Sequence, residues 1–235
     1  MSKTIFFFVK IFDDKKYATD FIKGNLFSNR LSFFRNLEES QDANRGDKNE
    51  GVVGLFQPEQ VNLEINGRIL NDLAGPISIK MNWHDNLNIF CIYAAHSGNF
   101  QSLSTENFDE FKKQLEIPEE CLNLGKYAVV VTNVSQFIER VQLAVEKNNY
   151  GLRADLVEYY NPETFNGSFN EHEAIFKKRD EYKHQKEYRF AFDSGVTGND
   201  SLVVEIGDIS DITMLCDVSE VNVKLEMKLP SGISA

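Results

Sequence analysis

The chain is poor in cysteine, in basic charge and in long apolar runs, and each shortage removes a class of protein. Its three cysteines, Cys91, Cys121 and Cys216, are odd in number and widely spaced, with no CxxC pair. Neither a disulfide framework nor a structural zinc site is indicated, and a reducing cytoplasm is the expected compartment. Lys and Arg number 25 against 36 Asp and Glu, a formal net charge of −11. This balance argues against sequence-independent nucleic-acid binding, because Lys and Arg supply the neutralisation of phosphates. No stretch approaches the roughly 18 uninterrupted apolar residues of a membrane-spanning helix, so no membrane partner is expected. The first residues, MSKTIFFFVKIFDDKK, carry Lys10 inside the apolar run and lack a small-residue cleavage pattern, which reads as a strand and not as a signal peptide. There is also no GxGxxG after a strand, no Walker A sequence, no HExxH and no GxSxG elbow, so the common nucleotide folds, zinc hydrolases and serine hydrolases have no support.

What is present is ordinary for a folded domain. Of 235 residues, 42% are hydrophobic, 12% aromatic and 26% charged, which predicts a globule with a real core. With no internal repeat and no obvious linker, residues 1–235 are expected to form a single domain. A strand is predicted over Thr4–Phe12, then a helix over Lys15–Lys23 ending at Gly24. Leu31–Phe34 is a short apolar run. Residues 38–51, EESQDANRGDKNEG, have almost nothing to bury and predict an exposed loop. Asn66-Gly67 between two alternating segments predicts a type I′ hairpin over 61–70. Further strands are expected at Ile77–Met81, Leu87–Ala95, Tyr127–Thr132, Leu152–Tyr160, Glu187–Phe192, Leu202–Ile206 and Val221–Leu229. Helices are expected at Phe108–Leu115, from Ser135 (as N-cap or first residue) through Val145, and at Glu171–Asp180. The order lacks a regular βαβ alternation, and the expected fold class is α+β with a largely antiparallel sheet.

Two segments carry candidate chemistry. On a strand of period two, Gln185, Glu187 and Arg189 share one face, with Lys186, Tyr188 and Phe190 on the other. Such a row could orient a ribose hydroxyl or stabilise a cationic transition state; the alternative is a solvated strand face with cross-strand ion pairs. The segment Phe33–Gly51 holds Arg35, Arg45, Asp47 and Glu50 near two glycines. It could close over a substrate, with arginine forks for phosphate, or be an ordinary surface loop. The histidines His84, His96, His172 and His184 show no tight metal spacing, and no resident metal is expected. A Mg²⁺ site from Asp47, Glu50 and Glu187 is a third reading that no spacing selects. The acidic stretch Glu106–Glu120 reads as a solvated face, with a partner site as the minor reading.

Phe34, Arg35 and Glu39, then Asp47, Glu50 and Gly51, then Glu187, Tyr188 and Arg189 together resemble a widespread family of uncharacterised bacterial and phage proteins. That family has an aromatic-Arg-x-x-x-E segment, a D-x-x-E-G loop and a late E-Y-R strand. Gln185-x-Glu187 is also similar to the Q/E-x-E element of NAD-dependent ADP-ribosyltransferases, especially the DarT-like nucleic-acid-modifying toxins, with Arg35 as a loosely placed match to their early-strand Arg or His. No Ser-Thr-Ser segment is present, and Lys10 stands where that pattern has Arg. The second resemblance implies an NAD-dependent transferase with Glu187 catalytic and Gln185 orienting the acceptor. It places Arg35, Arg189 and Tyr188 at the cofactor, and implies a macromolecular acceptor such as nucleic acid. A nucleic-acid acceptor would require Lys177, Lys178, Arg179, Lys183, Lys186 and Arg189 to form one basic patch. The setting implied is a cytoplasmic toxin or phage-conflict protein, with or without a protein antitoxin. The rival expectation is a non-enzymatic acidic protein that binds a basic protein partner.

Overall fold

The computed structural model describes residues 3–39, 47–70 and 72–226, with the backbone alone at 37–39. The chain opens with β1 (Ile5–Phe12), α1 (Lys15–Ile22), β2 (Asn25–Arg30) and α2 (Leu31–Glu39), followed by β3 (Val52–Phe56), β4 (Leu63–Ile65), β5 (Arg68–Leu70), β6 (Ile77–Lys80) and β7 (Asn88–His96). Then come α3 (Phe108–Leu115), α4 (Glu119–Leu122), β8 (Tyr127–Val131), α5 (Val134–Asn148), β9 (Gly151–Leu156), β10 (Glu158–Tyr160), β11 (Gly167–Ser168), β12 (Lys177–Arg179) and β13 (Glu187–Asp193). β14 (Leu202–Glu205), β15 (Thr213–Asp217) and α6 (Val221–Lys224) complete it. The fold is α+β and largely antiparallel: the eight-stranded main sheet runs β14-β2-β7-β1-β8-β15, with β13 and then β9 added on β7, and the short β10–β12 ladder is parallel.

β7 organises the sheet because three strands pair with it. β13 takes one edge from Asn88 to Tyr93. The opposite edge is shared: β1 holds Tyr93–His96 and β2 holds only Asn88 and Ile89. β1 leaves β7 after Val9 and continues with β8 alone to Phe12, so residues 90–92 of β7 face a split between β1 and β2. The sheet's two faces differ accordingly. One is a continuous apolar core in which Phe8, Phe90, Ile92, Tyr188, Phe190 and Phe192 meet Ala18 and Phe21 of α1 and Phe137 and Val141 of α5. The other carries two separate apolar clusters, one around Val9, Tyr93, Phe111 and Leu115 and one around Leu31, Ile89, Ile175 and Ala191.

Local chemistry explains the helix ends. Asn133, not Ser135, is the N-cap of α5 and Val134 its first residue, the Asn133 side chain accepting from the Gln136 amide at 3.1 Å, so the helix starts one to two residues before the expected position. Asn66 and Gly67 both adopt positive φ, 50° and 77°, and join β4 to β5 as a type I′ turn requires.

Three other expectations fail for non-local reasons. Glu171–Asp180 is not a helix: one 3₁₀ turn at Ala174–Phe176 leads into β12, which pairs with β10. Leu152–Tyr160 is two strands, broken at Val157, whose amide donates to the Glu187 carbonyl at 2.8 Å. Val221–Lys224 is helical where a strand was predicted; Asn222 exchanges two 2.9 Å bonds with the backbone of Ile117, and Lys224 pairs with Glu220 one turn back. Residues 227–229 lie outside the described residues. The short apolar run Leu31–Phe34 opens α2. Among the described residues, no helix is long and apolar enough to cross a membrane.

Gly24, which ends α1, has φ +91°, and a Cβ there would stand 1.9 Å from the backbone oxygen of Gly207. Because backbone and not a flexible side chain blocks the space, Gly24→Ala is expected to destabilise the protein by about 3 kcal/mol. Urea unfolding checks this, and an unchanged midpoint would refute the close approach.

Candidate functional site

Between the two apolar clusters on the second face, the sheet carries charge. β13 presents Glu187 and Arg189 there, opposite Tyr93 and Cys91 of β7. Both are buried, at 5% and 1% exposure, which excludes the solvated-face reading. Arg189 is held on three sides. Its Nε donates to Glu187 Oε1 at 2.6 Å, and its Nη1 and Nη2 donate to the two oxygens of Glu50 at 2.8 and 3.0 Å. Nη1 also donates to the Ile175 carbonyl at 2.5 Å. Lys178 of β12 completes a quartet, 3.5 Å from Glu50 and from Glu187, and donates to Gln185 Oε1 at 2.8 Å. Two carboxylates and two cations thus neutralise one another out of water, the condition under which buried charge is tolerated.

The quartet sets its own protonation. Burial opposes ionisation of Glu187, but Arg189, Lys178 and a hydrogen bond from the Cys91 thiol outweigh it and hold the carboxyl down to about 2. Burial likewise works against charge on Lys178 and Arg189, and the carboxylates of Glu187 and Glu50 overcome it, raising both. The Cys91 thiol is pushed up to about 12 by burial and by Glu187, so it is a hydrogen-bond donor there and not a nucleophile.

The loop before β3 is buried where the sequence predicts exposure: Asp47 and Glu50 are 0% and 1% exposed. Asp47 forms a second ion pair, accepting from Arg179 Nε at 2.9 Å, while Arg179 also reaches Glu181 and the Tyr182 hydroxyl. Burial and the nearby Glu50 raise the Asp47 pKa. Residues 40–46, including Arg45, lie outside the described residues, as does the Glu39 side chain.

The quartet, with Gln185 and Cys91, lines a cavity of about 1050 Å³ that runs through the split between β1 and β2. Phe33 and Phe34 of α2, an edge-to-face pair with centroids 5.6 Å apart, and Tyr93 line the same space. Lys10 lies in the split itself. Its ammonium donates to the Cys91 carbonyl at 2.5 Å and sits 4.9 Å from the centre of the Phe90 ring, satisfying a strand-edge acceptor that no neighbouring strand meets.

The other predicted residues are placed differently. Gln185 lies in a 3₁₀ turn before β13, yet joins Glu187 through Lys178. Arg35 is bound to Asp85 and does not line the cavity. Tyr188 points to the opposite face, where it packs on Phe8 and Phe190, so it meets no ligand in this cavity. The basic residues of 177–189 form no single patch. Lys178 and Arg189 are buried, Lys177 pairs with Glu158, Arg179 with Asp47, and Lys186 donates to the Gln114 carbonyl. Lys178 is better hidden than any surface reading predicts, and only its position two residues beyond Phe176 in a strand phase could have signalled it. Among the described residues, no three His, Cys, Asp or Glu side chains are grouped to hold a metal. Comparison of the chain with protein-family models, with characterised proteins and with solved structures finds no match.

Two stability predictions follow from the ion pairs. Arg189→Leu leaves two buried carboxylates, Glu50 and Glu187, with Lys178 as the one remaining cation of the quartet and should cost about 3–5 kcal/mol. Arg35→Leu, whose partner Asp85 is 42% exposed at the side chain, should cost about 1 kcal/mol or less. Equal losses in urea unfolding would contradict this ranking. Because Glu187 is held at about 2 against an ordinary 4.5, its ionisation contributes stability that is fully present above pH 4.5 and is lost as pH falls toward 2. The stability difference between wild type and Glu187→Gln should therefore shrink over that interval, and a difference independent of pH would exclude the shift.

Proposed function

We propose that the protein is an NAD-dependent ADP-ribosyltransferase acting on a macromolecular acceptor. The observation that carries this reading is an ionised carboxylate, Glu187, at the floor of an aromatic-walled cavity. At about 1050 Å³, the cavity is slightly larger than the roughly 300–1,000 Å³ typical of ligand sites, which suits a dinucleotide. The bound dinucleotide would supply a ribosyl carbon whose bond to nicotinamide breaks with development of positive charge.

The chain's own groups are arranged for that charge. Glu187 stays ionised at every physiological pH, so its role is electrostatic stabilisation of a cationic centre and not general acid catalysis. Arg189, whose forks are committed to Glu50 and Glu187, is a positioning residue that fixes the carboxylate; it does not hold phosphate. Lys178 performs the same service for Gln185: an ammonium only donates, so it takes the amide oxygen and turns the amide nitrogen away from itself. Phe33, Phe34 and Tyr93 offer ring surfaces for a flat heterocycle, and Lys10 in the split is the cation that faces the ligand's anionic groups. Arg35 and Tyr188 have no part in the site. The three free thiols suit a reducing cytoplasm, the setting of a toxin or phage-conflict enzyme.

The test is nicotinamide release from NAD by the purified protein with cell extract as acceptor source. Glu187→Gln should lower the rate by about 10²–10³-fold. Equal rates in both proteins, or release by neither, would overturn the reading.

A further inference from the structure

The cavity extends along the second face of the sheet, past the quartet and onto β2 and β14. Side chains of β2 alternate: Leu26, Ser28 and Arg30 are buried, while Asn25, Phe27 and Asn29 turn to the other side and line the cavity. Leu26 belongs to the main core. Asn29 stands opposite Ile89 of β7, which packs with Ala191, two residues along β13 from Arg189. Alternation therefore sets Asn25, Phe27 and Asn29 on the face that carries Glu187 and Arg189, on a strand about 10 Å from β13, two strand spacings away. β14 continues the surface, with Val203 opposite Phe27 and Glu205 opposite Asn25.

These residues have the character of a ligand surface. Phe27 is 58% exposed, Val203 47% and Phe33 of α2 43%, and all three line the cavity. Large apolar side chains left in water and continuous with a cavity mark a binding surface. Asn25 and Asn29 flank Phe27 and are half-buried, and neither carboxamide has a hydrogen-bond partner among the described residues. Glu205 is the one charged side chain that β2 and β14 present on this face.

We propose that this half of the cavity binds a nucleobase, the second heterocycle of the dinucleotide, stacked on Phe27 with its edge met by Asn25 and Asn29. An aromatic ring gives any base a face to stack on, and a carboxamide offers a donor and an acceptor side by side, the counterpart of a base edge. Glu205 can only accept, which suits the exocyclic amine of adenine and keeps phosphate away from this end. An acyl chain would leave both carboxamides unpaired against an apolar surface, at a cost a base does not incur. As the adenine site of NAD, this surface rests on the transferase reading; as a base site it is tested with adenosine alone, so that either can fail without the other.

The experiment is calorimetric titration of the full chain with adenosine, in the absence of NAD, and with dodecanoate as the apolar comparison. Adenosine should bind. Phe27→Ser should weaken it by about tenfold or more, Asn25→Ala/Asn29→Ala by about tenfold, and Phe27→Tyr, which keeps the ring, should bind it as wild type does. The substituted side chains lie outside the three apolar clusters, and thermal melting checks that each variant folds. No adenosine binding by wild type, unchanged affinity in Phe27→Ser and in the double variant, or saturation by dodecanoate in place of adenosine would overturn the proposal. Adenosine binding with these losses, in a protein that releases no nicotinamide, would uphold the base site and remove the transferase reading alone.

Discussion

The Arg189 guanidinium is the point on which the second face of the sheet depends. Its forks bind Glu50, 139 residues earlier, and Glu187, two residues earlier on the same strand, and it also ties down the carbonyl of Ile175. One side chain therefore fixes the end of the loop before β3, the turn before β12 and the start of β13. The arrangement is expensive to open, since removing any member leaves unbalanced charge among side chains that are almost fully buried. Two apolar clusters flank it, each smaller than the main core.

The split between β1 and β2 gives that centre access to solvent. A closed sheet would have sealed the quartet beneath strands; here β1 leaves β7 after Val9 and β2 rejoins it only at Ile89, and the cavity passes between them. Lys10 meets the carbonyl that the split exposes, so the opening carries no unsatisfied backbone acceptor at Cys91. The result is a space with a compensated polar floor and aromatic side chains along it.

What the sequence made legible was local. Strand periodicity put Glu187 and Arg189 on one face because side-chain direction alternates whatever the partner strands are. The hairpin at Asn66-Gly67 and the exit of α1 at Gly24 were readable because each needs a particular backbone angle. The burial of Asp47 and Glu50 was not readable, since a run rich in charge looks exposed until Arg179 and Arg189 arrive from more than a hundred residues away. β12 was mistaken for a helix for the same reason: Lys177–Arg179 has no apolar pattern, and its strand form comes from parallel pairing with β10. The pairing of Arg35 was not readable either, because its partner, Asp85, lies fifty residues on.

The most direct measurement is a crystal structure of the protein grown with a carbocyclic, non-cleavable NAD analogue. The account predicts that the analogue lies in the split, with its ring against Phe33, Phe34 or Tyr93 and its anomeric position within about 3–3.5 Å of a Glu187 oxygen, and that the Arg189–Glu50 pair stays unbroken. A ligand bound elsewhere, or a cavity closed by the chain's own side chains with Glu187 sealed beneath them, would contradict it.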